Sequence, residues 1–179
     1  MLAAVVLAAG AATRYGSPKQ LVFLPYVLDR LARTAVEEVV VVEGAYPIEE
    51  GETLSLGGAR VVRCEDWARG PGASLRCGLA ALGPDVEAAL VVLADGPHLD
   101  PRAVERLLAH RHEADVVVAS YDGTRDHPAV LSRGAWGRVP DEGARALEAK
   151  LIPCDDLEPP GDMDYPHLWQ PPESDRGGR

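Results

Sequence analysis

Two lysines stand against sixteen arginines in this chain, and one of the two, Lys19, closes an unusual run. The run reads Leu7-Ala8-Ala9-Gly10-Ala11-Ala12-Thr13-Arg14-Tyr15-Gly16-Ser17-Pro18-Lys19. Small residues and glycines let a backbone approach an anion and turn N–H groups toward it. Arg14 and Lys19 add fixed positive charge, so the chemistry suggested is phosphate binding. Five residues separate Gly10 from Gly16 and Lys19 does not directly follow the second glycine. The run is therefore neither a Walker A loop nor a dinucleotide G-x-G-x-x-G. A second chemical residue ends the apolar stretch Leu90-Val91-Val92-Leu93-Ala94 as Asp95, followed by Gly96-Pro97. A carboxylate at the end of a buried strand is costly unless paired. Mg²⁺ is a natural partner, because it takes one or two carboxylates together with phosphate oxygens. The competing role, capping the next helix, belongs more naturally to Asp100. Asp162 and Asp164, two apart, share one side of an extended stretch and are further metal candidates. His110 and His112 point to different helix faces and do not share a metal.

These groups need elements to carry them. Leu2–Ala8, Glu38–Val42, Arg60–Arg63, Ala89–Ala94 and Asp115–Ser120 read as strands with little polar alternation. Tyr26–Ala35 reads as a helix with Pro25 at its start, and Ser74–Leu82 as another. Asp100-Pro101 opens a third that runs to about His112, with aspartate as N-cap. Strands that alternate with helices and are apolar on both sides predict a mostly parallel sheet covered on both faces. Ligands in such sheets lie beyond the carboxyl ends of the strands, where both the Gly10 run and Asp95 fall. One domain over residues 1–170 is expected, with 171–179 a frayed tail.

Composition limits the options further. The chain has 179 residues, 46% hydrophobic and 26% charged, which suits one globular domain. Its net charge of -10 argues against general nucleic-acid binding. Residues 1–36 reverse that sign, with Arg14, Lys19, Arg30 and Arg33 against Asp29 alone, as a local anion site would require. The run Leu2–Ala12 is too short to span a bilayer and has no preceding Lys or Arg, so it is read as a strand and not as a membrane span or secretory leader. Three cysteines, Cys64, Cys77 and Cys154, make neither a disulfide framework nor a zinc site and suit a reducing cytoplasm. Trp67, Trp136 and Trp169 are dispersed and are expected to pack.

The first motif resembles the signature of the MobA-like nucleotidyltransferases, L-A-[AG]-G-x-x-x-R-[MFY]-G-x-x-K, and within it the molybdenum-cofactor cytidylyltransferase branch. Leu93-Ala94-Asp95-Gly96-Pro97 is similar to the family's L-x-D-M-P segment, with Gly96 in place of Met. Gly161-Asp162-Met163-Asp164-Tyr165-Pro166 resembles its D-[IV]-D-T-P-E-D element. Gly70 to Leu79 resembles its G-x-x-x-S-L-x-x-G-L loop and helix, Asp126 to Leu131 its G-H-P-v-L element, and Asp141 to Arg145 its G-D-x-G-A-R loop.

The resemblance implies a three-layer α/β/α Rossmann-like fold. It implies Mg²⁺-dependent transfer of a nucleoside monophosphate onto the terminal phosphate of a molybdopterin-type acceptor, with release of pyrophosphate. CTP would be the first choice of donor and GTP the second. By the same resemblance Leu7, Ala8, Ala9, Gly10, Arg14, Lys19, Gly72 and Ser74 would bind the nucleotide. Arg14, Lys19 and Asp95 would be catalytic, Asp95 with Asp162 or Asp164 would hold the metal, and His127 and Arg145 would face the acceptor. A molybdoenzyme or maturation factor is the partner implied. The family pattern is longer than the five residues found here between Leu21 and Val27, and longer also around Val139 to Leu151. Such trimming would suit the alternative of a nucleotide- or pterin-binding chaperone without catalysis. A sugar-phosphate acceptor is the other alternative, since one fold hosts many acceptors. A dinucleotide oxidoreductase is disfavoured by the missing G-x-G-x-x-G.

Overall fold

A computed structural model describes residues 1–10, 19–48 and 57–161. Arg14, Asp162, Asp164, Trp169 and the 171–179 tail fall outside the described residues.

Among those residues seven strands form one sheet: β1 (Leu2–Leu7), β2 (Glu38–Glu43), β3 (Arg60–Arg63), β4 (Ala88–Leu93), β5 (Val116–Tyr121), β6 (Thr124–Ser132) and β7 (Lys150–Pro153). Their spatial order is β3-β2-β1-β4-β6-β5-β7. All run parallel except β6, which is antiparallel to both β4 and β5. The α/β expectation and its mostly parallel sheet hold. Two strands, β6 and β7, had no counterpart in the sequence reading.

Alternate residues of each strand feed opposite faces, as strand geometry requires. Ala4, Val6, Val41, Leu90, Val92 and Val117 join one core with Leu24, Leu28 and Leu31 of α1 (Lys19–Leu31) and Val104 and Leu107 of α3 (Pro101–His110). Ala3, Val5, Val40, Val42, Val91 and Val118 join the other with Leu75 and Leu79 of α2 (Pro71–Ala81). The molecule is thus three layers, helices on both faces of the sheet.

The first helix differs from its predicted bounds. It starts at Lys19, not at Pro25, and ends at Leu31. Its buried residues Gln20, Phe23, Leu24, Val27, Leu28 and Leu31 keep a helical period straight through the proline. Burial of that apolar stripe outweighs the backbone bond lost at Pro25. The segment between Leu21 and Val27 is therefore helix rather than a shortened loop. The second helix begins at Pro71, three residues before the expected Ser74, because proline suits a first helical turn. The start of the third follows its sequence signal. Asp100 caps α3 by accepting a 2.8 Å hydrogen bond from the Arg102 N–H.

The cysteines also depart from expectation. Cys64, just after β3, is disulfide-bonded to Cys77 of α2, and Cys154 remains a free, buried thiol. A separation of thirteen residues carries no pairing signal. The packing of α2 over the β2–β3 edge makes the pair, bringing the Cα atoms to 5.8 Å, within disulfide reach.

Candidate functional site

The parallel strands β1 and β4 are paired in register, Leu7 opposite Leu93. Each chain leaves the sheet at the same edge, so Ala9–Gly10 and Asp95 emerge side by side. The Ala94 N–H donates to the Leu7 carbonyl at 3.0 Å and the Ala45 N–H to the Ala9 carbonyl at 3.1 Å, which fixes both exits. The first residue of α1, Lys19, returns to the same edge. Its Nζ lies 2.7 Å from Asp95 Oδ2, with side chains only 12% and 20% exposed. Both charges sit largely out of water, where a charge-assisted contact is strong. The next residue, Gln20, is buried, and its Nε2 donates to the Gly10 carbonyl at 2.7 Å. Gln20 thereby ties the start of α1 to the start of the phosphate-type loop. Sequence reading missed it because a lone glutamine carries no motif weight.

A cavity of about 340 Å³ opens beside Asp95. Leu7, Ala9, Gly10 and Asp95 line it from the strand ends, Trp67 and Gly70 from the loop before α2, and Pro71 and Ser74 from the first turn of α2. Trp67 had been read as packing alone. It packs against the α2-side core and also forms a cavity wall. Ala8 points the other way, into the core beneath α1. Gly72 lies under the 140–141 backbone: a Cβ there would fall 2.7 Å from the Pro140 carbonyl carbon.

A second cavity, about 330 Å³, adjoins the first and shares Leu7, Leu93 and Pro71 with it. Leu75, Val91, Val118 and Ala129 give it an apolar floor, and Arg125, His127, Glu142 and Arg145 surround that floor. Strand β6 explains the placement of two of these. Because it runs antiparallel, its beginning and not its end lies at the ligand edge. Gly96 accommodates His127: a Cβ at position 96 would sit 2.5 Å from Cε1 and 2.9 Å from Nε2 of the imidazole. Arg125 went unnoticed in the sequence. Its guanidinium donates to the Leu147 and Ala144 carbonyls at 2.9 and 2.8 Å, and burial pushes its pKa down.

Asp95, Ala9, Gly10 and Ser74 are thus brought to one cavity, His127 and Arg145 to the next, and Leu7 to both, while Lys19 stands behind the first cavity through its contact with Asp95. Among the described residues no group of three or more His, Cys, Asp or Glu side chains is arranged to hold a metal ion. Among the described residues that line the first cavity, Asp95 is the one carboxylate. That suits a divalent ion carried largely by phosphate oxygens and water.

Comparison with known proteins agrees with this arrangement. Structurally, Rv0371c from Mycobacterium tuberculosis H37Rv superposes with a TM-score of 0.81 at 26% identity, covering 93% of this chain and 95% of that one. A manganese complex of the same protein gives a TM-score of 0.71 at 24% identity, covering 88% of this chain and 90% of that one. Among curated sequences, the bifunctional protein GlmU of Mycobacterium ulcerans is 38% identical over 120 residues, 59% of this chain and 24% of that protein. GlmU of Mycobacterium bovis is 31% identical over 159 residues, 81% of this chain and 32% of its own length. The chain spans about a quarter to a third of these curated relatives. The model of the MobA-like NTP transferase domain matches residues 4–151, from β1 to β7 and across both cavities, and the chain belongs to that family.

Proposed function

We propose that the chain is a nucleotidyltransferase that moves a nucleoside monophosphate, CMP before GMP, from its triphosphate to the terminal phosphate of a molybdopterin-type acceptor. The observation that carries the reading is the Lys19–Asp95 pair at 2.7 Å, whose acid lines the first cavity. A cation suited to an α-phosphate beside an acid suited to a metal supports it. An acceptor phosphate oxygen attacks the α-phosphorus, the bond to the bridging oxygen breaks, and pyrophosphate leaves. Little covalent work falls to the protein; positioning and charge neutralisation are its contribution. Lys19 neutralises charge on the α-phosphate as the attack proceeds, and Arg14 holds the outer phosphates. The backbone at Ala9 and Gly10 cradles the phosphates, and Ser74 faces the nucleotide from α2. Asp95, with Asp162 or Asp164, would hold Mg²⁺, which when bound adds charge neutralisation at the phosphates.

The apolar floor of the second cavity, Leu75, Val91, Val118 and Ala129, supports an acceptor with an apolar face, and Arg125, Asp126, His127, Glu142 and Arg145 around it offer polar partners. His127 and Arg145 at its margin suit an anionic head group. The cytoplasm remains the proposed setting on the ground of the nucleoside triphosphate donor alone, since the Cys64–Cys77 disulfide removes the support drawn from the cysteines; a molybdoenzyme or its maturation factor is the proposed recipient of the product.

The test is pyrophosphate release with Mg²⁺, molybdopterin and each of CTP, GTP, ATP and UTP, with sugar phosphates as competing acceptors. Release is expected with CTP and molybdopterin. Asp95→Asn and Lys19→Ala should each lower kcat by about 10²–10³-fold, the usual cost of removing a charge that stabilises the transition state. Nucleotide binding without release from any acceptor would favour the non-catalytic carrier instead.

A further inference from the structure

Between the two cavities lies a clamp made of one acid and two arginines. Asp141 sits in the turn that leads into the wall of the second cavity. Its Oδ1 is 2.5 Å from Nη2 of Arg76, on α2, and its Oδ2 is 3.2 Å from Nη2 of Arg69, in the loop before α2. Arg76 also donates through Nη1 to the Val139 carbonyl at 2.8 Å. The Asp141 carbonyl accepts from the Gly72 N–H at 2.9 Å, in the first turn of α2. The Arg76 guanidinium holds the Asp141 carboxyl below the usual carboxylate range, so the charge is present at neutral pH.

A second, independent feature marks the same contact. A Cβ at Gly70 would lie 2.5 Å from the Asp141 carbonyl oxygen, and one at Gly72 would lie 3.0 Å from the Asp141 carbonyl carbon. Both glycines admit the 140–141 backbone where any side chain would exclude it. Beyond Asp141 the chain runs through Glu142, Gly143 and Arg145, which line the second cavity, and is caught again by Arg125 at Ala144 and Leu147. On the other side of the contact, Gly70 and Pro71 line the first cavity.

We propose that Asp141, held by Arg76 and Arg69, is a positioning residue that locks the acceptor-side segment 142–145 onto the first turn of α2, so that the walls of the two cavities are set as one unit. It touches no reacting atom in this scheme. Its role rests on the proposed assignment of the second cavity to the acceptor.

Hydrogen–deuterium exchange and steady-state kinetics on the full chain test it together. Asp141→Asn keeps the shape of the side chain and removes its charge. Amides of 139–147 should exchange about two- to fivefold faster in that variant, the factor expected for a part-exposed ion pair, while those of β1 and β4 stay unchanged. The acceptor KM should rise by a similar factor, with the nucleotide KM and kcat nearly unmoved, and Asp141→Glu should recover part of both effects. Unchanged exchange in Asp141→Asn overturns the clamp. A fall in kcat at constant acceptor KM overturns its positioning role. Should the wild-type chain turn over no acceptor, the proposed function fails, and the exchange rates with their rescue by glutamate still decide for or against the clamp.

Discussion

At the scale of single residues, the ligand edge is crowded by design of the backbone. Gly96 leaves room for the His127 ring, 2.5 Å from where a Cβ would stand. Gly96→Met, which restores the residue type of the family pattern, must push that ring or the backbone aside. The variant is expected to lose about 1–3 kcal/mol of stability, the usual cost of overpacking. Urea unfolding measures that loss, and a raised acceptor KM would report the displaced imidazole. The residues most legible in the sequence were those whose chemistry is conspicuous: a rare lysine, and an aspartate ending an apolar strand. The structure brings Lys19 and Asp95 together although 76 positions separate them in the numbering. Gln20 and Arg125 were not legible, because each acts by bonding to a backbone carbonyl, and a carbonyl leaves no trace in residue type.

Elements were legible where one period dominated. The valines of β2 and the Asp100-Pro101 start of α3 fall where expected. Helix α1 was misjudged because Pro25 was given the weight of a start signal, whereas the buried stripe from Gln20 to Leu31 runs through it. Strand β6 is hard to read because residues 124–127 are polar and only residues 128–131 are buried. Strand β7 buries only Ile152, so it shows neither alternation nor an apolar run. Its ladder with β5 is supplemented by Arg106 of α3, which donates to the Pro153 carbonyl at 2.8 Å and to Asp156 at 2.6 and 2.9 Å. The Arg106 guanidinium pushes the Asp156 carboxyl down from 3.8 to about 2. A depressed carboxylate stabilises the fold above its unfolded pKa and ceases to do so as pH falls through the folded one. The stability difference between wild type and Asp156→Asn should accordingly be constant above about pH 5 and vanish as pH falls through 3.8 toward 2. Thermal unfolding across that range checks it; a difference undiminished between pH 5 and pH 2 would mean the pair contributes nothing through its charge.

For the molecule as a whole, the cross-link between Cys64 and Cys77 closes a short loop, thirteen residues apart, between the sheet edge and α2. A loop of that size is worth about 2–3 kcal/mol through the unfolded chain it restrains. Reduction with dithiothreitol should lower the urea midpoint by a corresponding amount, and Cys64→Ser should show no further loss on reduction. The Lys19–Asp95 pair has another consequence. Three N–H donors on an ammonium and about four lone-pair sites on a carboxylate exceed what one mutual contact uses. Under the proposed function a phosphate group and its metal ion would therefore add to the pair rather than part it, and the two charges would stay neighbours through the encounter.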